Sequence, residues 1–151
     1  MTADLAGGAG TGAGRFLVVR AGGERFGLDL AAVREVVDLA APQPVPARVP
    51  AVRGVMPLRE RFYTLVHLGA LLAGGTPPPE PSETAVLAEV NGRVVAFEVD
   101  DVEAVVEGGA TLVSSAGGGG IADIWRVGGE LVSALDLTAL AARLTETGVQ
   151  A

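Results

Sequence analysis

Few side chains in this chain could do chemistry, and their spacing argues against most of it. His67 is the only histidine among 151 residues. It closes the run Phe62-Tyr63-Thr64-Leu65-Val66-His67, where a polar strand-end residue beside a turn is expected in place of a general base. Ser114, Ser115 and Ser133 lack the Gly-x-Ser-x-Gly elbow that would expose a nucleophile. Asp100-Asp101 invites a metal or two-carboxylate role, but neighbours at a strand-to-helix bend point apart, so a helix-starting role is expected instead. The glycine-rich stretch 7–14 precedes a strand, and stretch 117–120 has no Lys-Ser/Thr behind it. Neither meets the context of a phosphate loop. With no cysteine, disulfides and thiolate metal sites are excluded. No catalytic residue, metal or cofactor is expected, and a binding module fits this inventory better than an enzyme.

Charge narrows the partners. The net charge is −7, which argues against nucleic acid, since affinity for phosphates rests on clustered Lys and Arg. All eleven basic residues are arginine. Segment 45–61 holds Arg48, Arg53, Arg59 and Arg61 against Glu60, a net of +3. Segment 89–107 holds six acids, Glu89, Glu98, Asp100, Asp101, Glu103 and Glu107, against Arg93, a net of −5. Two readings stay open: two solvated faces, or a basic stretch that meets an acidic partner.

The elements that must position these residues come from a duplication. At an offset of 69 residues, Gly23-Glu24-Arg25-Phe26-Gly27-Leu28-Asp29 falls on Gly92-Arg93-Val94-Val95-Ala96-Phe97-Glu98, and Val36-Val37 falls on Val105-Val106. The run ending at His67 falls on the run ending at Asp136, with Phe62 on Leu131. Each copy predicts hairpins: 16–20 with 25–30, 52–58 with 61–68, 84–90 with 93–99 across Asn91-Gly92, and 121–127 with 130–135 across Gly128-Gly129. Segment 31–37 is expected as one or two helical turns after Asp29, a plausible N-cap, and 101–106 matches that short turn. Pro42, Pro44 and Pro46 predict an extended segment, and Asp136 caps a final helix over 137–144.

The expected architecture is all-β with short helices: two packed five-stranded barrels and a C-terminal helix. Residues 1–14 are expected as a disordered tail, 15–73 as a first lobe, 74–83 as a linker, 84–144 as a second lobe and 145–151 as a flexible tail. A chain of this length buries roughly 70% of its unfolded surface, so the two lobes must share one core. A cytosolic monomer is expected, with no apolar run long enough to span a membrane.

The motifs, in order and spacing, resemble the CheW family of bacterial chemotaxis coupling proteins. The matching pieces are Phe16-Leu17-Val18-Val19, Phe26-Gly27-Leu28-Asp29-Leu30-Ala31-Ala32-Val33-Arg34-Glu35-Val36, and Val52-Arg53-Gly54-Val55-Met56-Pro57-Leu58-Arg59. Val94-Val95-Ala96-Phe97-Glu98-Val99-Asp100-Asp101-Val102 and Leu131-Val132-Ser133-Ala134-Leu135-Asp136-Leu137 complete them. The resemblance implies two intertwined SH3-like barrels and a non-enzymatic adaptor. Such an adaptor joins the cytoplasmic tips of chemoreceptors to the regulatory domain of a CheA-type histidine kinase, in the cytoplasm and clustered with receptor arrays. By the same resemblance Val33, Glu35, Gly54, Arg59 and Val105 match partner-contacting positions, although Val33 and Val105 could equally be core.

Departures from the family pattern fall in one place. Where the family reads Asn-Leu-Arg-Gly, then Pro-Val and Asp-Leu, this chain has Pro57-Leu58-Arg59-Glu60, then Thr64-Leu65 and His67-Leu68. Pro57 removes a backbone donor, which suits only an edge or a bend, and Glu60 stands where a residue free to take positive φ is expected. An interface altered at Pro57 and Glu60 leaves two further readings open. One is an adaptor that keeps the receptor and lacks the kinase. The other is a small-molecule-binding or enzymatic β-barrel with its polar groups between the lobes.

Overall fold

The structure, a computed structural model, describes residues 14–39, 41–115 and 117–146. The expected tails lie outside the described residues, apart from Gly14 and residues 145–146. The chain runs through β1 (Phe16–Ala21), β2 (Glu24–Asp29), β3 (Val33–Asp38), β4 (Val52–Leu58), β5 (Arg61–His67) and α1 (Leu68–Ala73). It continues through β6 (Thr84–Val90), β7 (Arg93–Val99), β8 (Asp101–Val106), β9 (Thr111–Ser114), β10 (Ile121–Val127), β11 (Glu130–Leu135) and α2 (Leu137–Glu146).

The four expected hairpins form, each through a two-residue turn with both residues at positive φ. Gly22-Gly23 (61° and 84°), Asn91-Gly92 (53° and 81°) and Gly128-Gly129 (55° and 86°) suit that backbone. The fourth turn, Arg59-Glu60, takes the same conformation at 47° and 69° with two residues that carry a Cβ. That arrangement holds strain of a kind found at ligand clamps and switch regions.

Strand pairing follows the repeat but crosses between its copies. One sheet has the order β8-β1-β2-β11-β10-β9, and the other β3-β6-β7-β5-β4. The first hairpin of each copy sits between two strands of the other copy. β1 pairs with β8 and β2 runs parallel to β11, with Ala134 opposite Gly27. In the same way β6 pairs with β3 and β7 runs parallel to β5, with Leu65 opposite Ala96. The expected halves 15–73 and 84–144 therefore describe copies in sequence, whereas each sheet in space draws on both.

One core follows from this exchange. Leu17, Val19 and Leu28 pack with Val66, Leu68, Val86, Phe97, Leu135 and Leu140 in a single buried cluster that spans both sheets and both helices. Smaller clusters sit within each sheet's own lobe, around Met56, Leu65 and Leu87 on one side and Phe16, Val18 and Val132 on the other.

Three local expectations are corrected. Segments 31–37 and 101–106 are not helical turns: Val33–Asp38 and Asp101–Val106 are strands β3 and β8. Asp29 accepts from Ala31 N at 3.0 Å and shapes only the turn before β3. The short helix α1 was not expected, and neither was β9. The first-copy counterpart of β9 is the proline segment around Gln43, reduced to one bridge with Val55 because proline lacks the donors of a longer ladder. Finally α2 continues to Glu146, two residues past its expected end.

Candidate partner-binding surface

Four of the five partner-position residues belong to the five-stranded sheet. β3 and β4 are its two edges. Val33 and Glu35 lie on β3, Gly54 on β4, and Arg59 in the turn that follows β4. Arg59 Nη2 donates to Glu35 Oε1 at 2.5 Å and so ties one edge to the other. That hydrogen bond, with the attraction of the carboxylate, raises the guanidinium's pKa further. Both side chains remain accessible, at 62% for Arg59 and 39% for Glu35.

The supporting residues take defined roles. Gly54 is buried at φ 150°, and a Cβ there would lie 2.2 Å from the Gln43 carbonyl oxygen, so only glycine lets the proline segment cross β4. Pro57 stands opposite Phe62 on an edge strand whose only long partner is β5, where proline is tolerated. Glu60 adopts positive φ without being glycine. Val33 is half-buried against the shared core, so the core reading applies to it in part.

Val105 is placed apart from the others. It lies on β8, an edge of the six-stranded sheet, and is 60% exposed, which is not a core position. Its counterpart at the 69-residue offset, Val36, is also exposed. Phe62 and Leu131, another offset pair, are 64% and 57% exposed. These two apolar pairs give both sheets accessible hydrophobic side chains at equivalent positions. The repeat alignment pairs Phe62 with Leu131, and both are exposed.

Charge does not segregate in space as it does along the chain. Arg53 turns inward, its Nε donating to Glu98 Oε1 at 2.6 Å and its Nη2 to Glu98 Oε2 at 3.1 Å. The Glu98 side chain is fully buried and also accepts from Ser82 N at 2.7 Å, while Arg53 Nη1 donates to Pro78 O at 2.9 Å. This buried pair clamps the linker between the copies. Among the acids, Glu103 meets Arg20 and Arg25, Glu89 meets Arg34, and Glu107 meets Arg15. The +3 segment is thus not one partner-facing patch.

His67 closes the start of α1, its Nδ1 accepting from Ala70 N at 3.0 Å. Burial lowers its pKa, opposed by Glu98 and reinforced by Arg53. Asp136, at the same place in the second copy, accepts from Ala139 N at 3.0 Å. A hollow of about 340 Å³ beside α1 is lined by Val49, Ala51, Leu71, Leu72 and Arg143. Its one charged side chain donates to Leu71 O at 2.9 Å, which leaves no convergent polar set of the kind that orients a small ligand. No described group of His, Asp and Glu could hold a metal ion. Among the described residues no helix is long and apolar enough to cross a membrane.

The two intertwined β lobes thus present accessible apolar side chains at equivalent positions. A model of the CheW-like domain matches residues 15–145, and the chain belongs to that family of chemotaxis scaffolds. The crystal structure of the scaffolding protein TtCheW from Thermoanaerobacter tengcongensis is similar, with a TM-score of 0.70 and 20% identity. The match covers 84% of this chain and 91% of that one. No curated protein sequence gives a significant match.

Proposed function

We propose that this CheW-family adaptor couples the cytoplasmic tips of chemoreceptors to the regulatory domain of a CheA-type kinase without catalysing a reaction. The observation that carries the reading is the Glu35–Arg59 bridge. It joins two residues that match the family's partner positions, from opposite sheet edges, on one accessible face. A guanidinium already oriented by a carboxylate can exchange or share that partner with an acidic side chain of a docking helix, through the fork geometry that lysine lacks.

The test is titration of a receptor hairpin and a kinase regulatory domain against the wild type, Arg59→Ala and Arg59→Lys. Arg59→Ala is expected to weaken receptor binding by about tenfold with the fold intact, Arg59→Lys to recover part of it, and salt to weaken the wild type more than the alanine variant. Receptor binding unchanged by Arg59→Ala overturns the assignment.

An adaptor that keeps only the receptor is the second reading, favoured by the positive φ of Arg59-Glu60 and by Pro57 on the same hairpin. Restoring the family pattern with Glu60→Gly and Pro57→Asn should then raise affinity for the kinase domain. Unchanged kinase binding leaves that reading without support.

A further inference from the structure

His67 and Asp136 stand 69 residues apart at equivalent places, and each closes the start of a helix. Acid affects the two caps differently. A carboxyl group keeps an acceptor oxygen whether or not it carries a proton. An imidazole nitrogen that accepts a hydrogen bond loses that ability on protonation, because both ring nitrogens are then donors. A protonated Nδ1 of His67 would meet the Ala70 N–H donor to donor. We propose that His67 is a proton-sensitive latch on α1: its protonation ejects the cap and loosens α1, while Asp136 keeps α2 closed.

The surroundings make this a local device. His67 lies opposite Glu98 of β7 in the parallel register, and its backbone N–H donates to Ala51 O at 2.9 Å. Glu98 and Asp100 favour the imidazolium, and Arg53 of β4, bonded to Glu98, opposes it. Burial is the largest influence and holds the ring neutral below its ordinary range. The folded-state pKa is thus lower than the unfolded value of about 6.5. Stability from the neutral ring is complete above that value and is lost as pH falls through the folded pKa.

α1 spans six residues with Leu68, Ala70 and Leu71 buried, and the His67 bond satisfies one of the donors that its first turn leaves open. Its Leu71 carbonyl accepts from Arg143 of α2, and it walls the hollow that Val49 and Pro50 complete. Loosening α1 would therefore release a tie to α2 and widen that hollow.

Amide hydrogen exchange on the full chain at pH 7.5 and 5.0, corrected for intrinsic rates, tests the latch. Protection at Ala70 should fall about tenfold at the lower pH, as loss of a cap allows, with Ala139 unchanged. His67→Asn can cap without titrating and should leave Ala70 protection flat across the same range. His67→Asp, which installs the second copy's cap, should do the same and stands in if the asparagine variant fails to fold. Flat protection at Ala70 in the wild type overturns the proposal, as does an equal fall at Ala139. An equal fall in the foldable variants also refutes it, since the loss would then come from groups other than His67.

Discussion

Glu98→Ala should be among the most damaging single changes in this protein. Glu98 accepts two hydrogen bonds from Arg53 and one from Ser82 N, and its side chain has no contact with solvent. Truncation leaves a guanidinium that is 10% exposed with Pro78 O as its remaining acceptor. Removing one partner of a buried pair costs about 3–5 kcal/mol. The small exposure of Arg53 gives it some water, so the lower end applies, about 3 kcal/mol. For a chain of this size that lowers Tm by about 6–12 °C. Arg53→Ala should cost more, about 4–5 kcal/mol, because the orphaned Glu98 has no access to water.

Replacing both residues with apolar side chains of similar volume, Arg53→Met with Glu98→Leu, should recover most of the loss, since the desolvation penalty of both charges then disappears. Urea unfolding of the wild type, Arg53→Met, Glu98→Leu and the double variant closes the cycle, with Glu98→Ala measured beside them. A cost for Glu98→Ala below about 1 kcal/mol, in the range of an exposed pair, would refute the claim that this ion pair is a buried clamp. Strict additivity of the two single effects would refute the coupling between them.

Glu60→Gly should stabilise the fold, as positive φ costs an L-residue about 1–2 kcal/mol and added unfolded-state freedom returns about 0.4–1. The net gain, at most about 1.6 kcal/mol, raises Tm by up to about 6 °C, and a lower Tm would mean that the Glu60 side chain makes a contact worth more than the strain. Because each sheet takes strands from both copies, the two copies should unfold in one calorimetric transition. Chains nicked between residues 75 and 81 should co-purify as a complex, whereas two separated transitions would contradict the shared core.

Much of the fold is legible in local sequence because hairpins are local. Gly22-Gly23, Asn91-Gly92 and Gly128-Gly129 specify turns that only such residues adopt without strain, and the apolar runs beside them set the strands. The 69-residue offset then pairs the strands of the two copies, apart from β9, whose counterpart the prolines reduce to one bridge. It places His67 and Asp136, Val36 and Val105, and Phe62 and Leu131 at matching positions. The assignment of Val33, Glu35, Gly54, Arg59 and Val105 as partner positions rests on the resemblance, which uses order and spacing alone.

What tertiary structure decided was every feature whose partner lies far along the chain. Val33-Arg34-Glu35-Val36-Val37 is too short and aperiodic to choose between helix and strand by itself. It becomes β3 because the edge of β6, some fifty residues later, offers unpaired backbone groups, and 101–106 becomes β8 against β1 for the same reason. Arg53 looks basic in sequence and is neutralised in space, since Glu98 meets it only once β5 has brought β4 and β7 to its two flanks. Arg59 reaches Glu35 only when the two edges of one sheet curl toward each other. Turn chemistry acts over two residues and can be read from types, whereas a pairing across forty or more residues is chosen by which unsatisfied edge and which buried charge the assembled core leaves to be met.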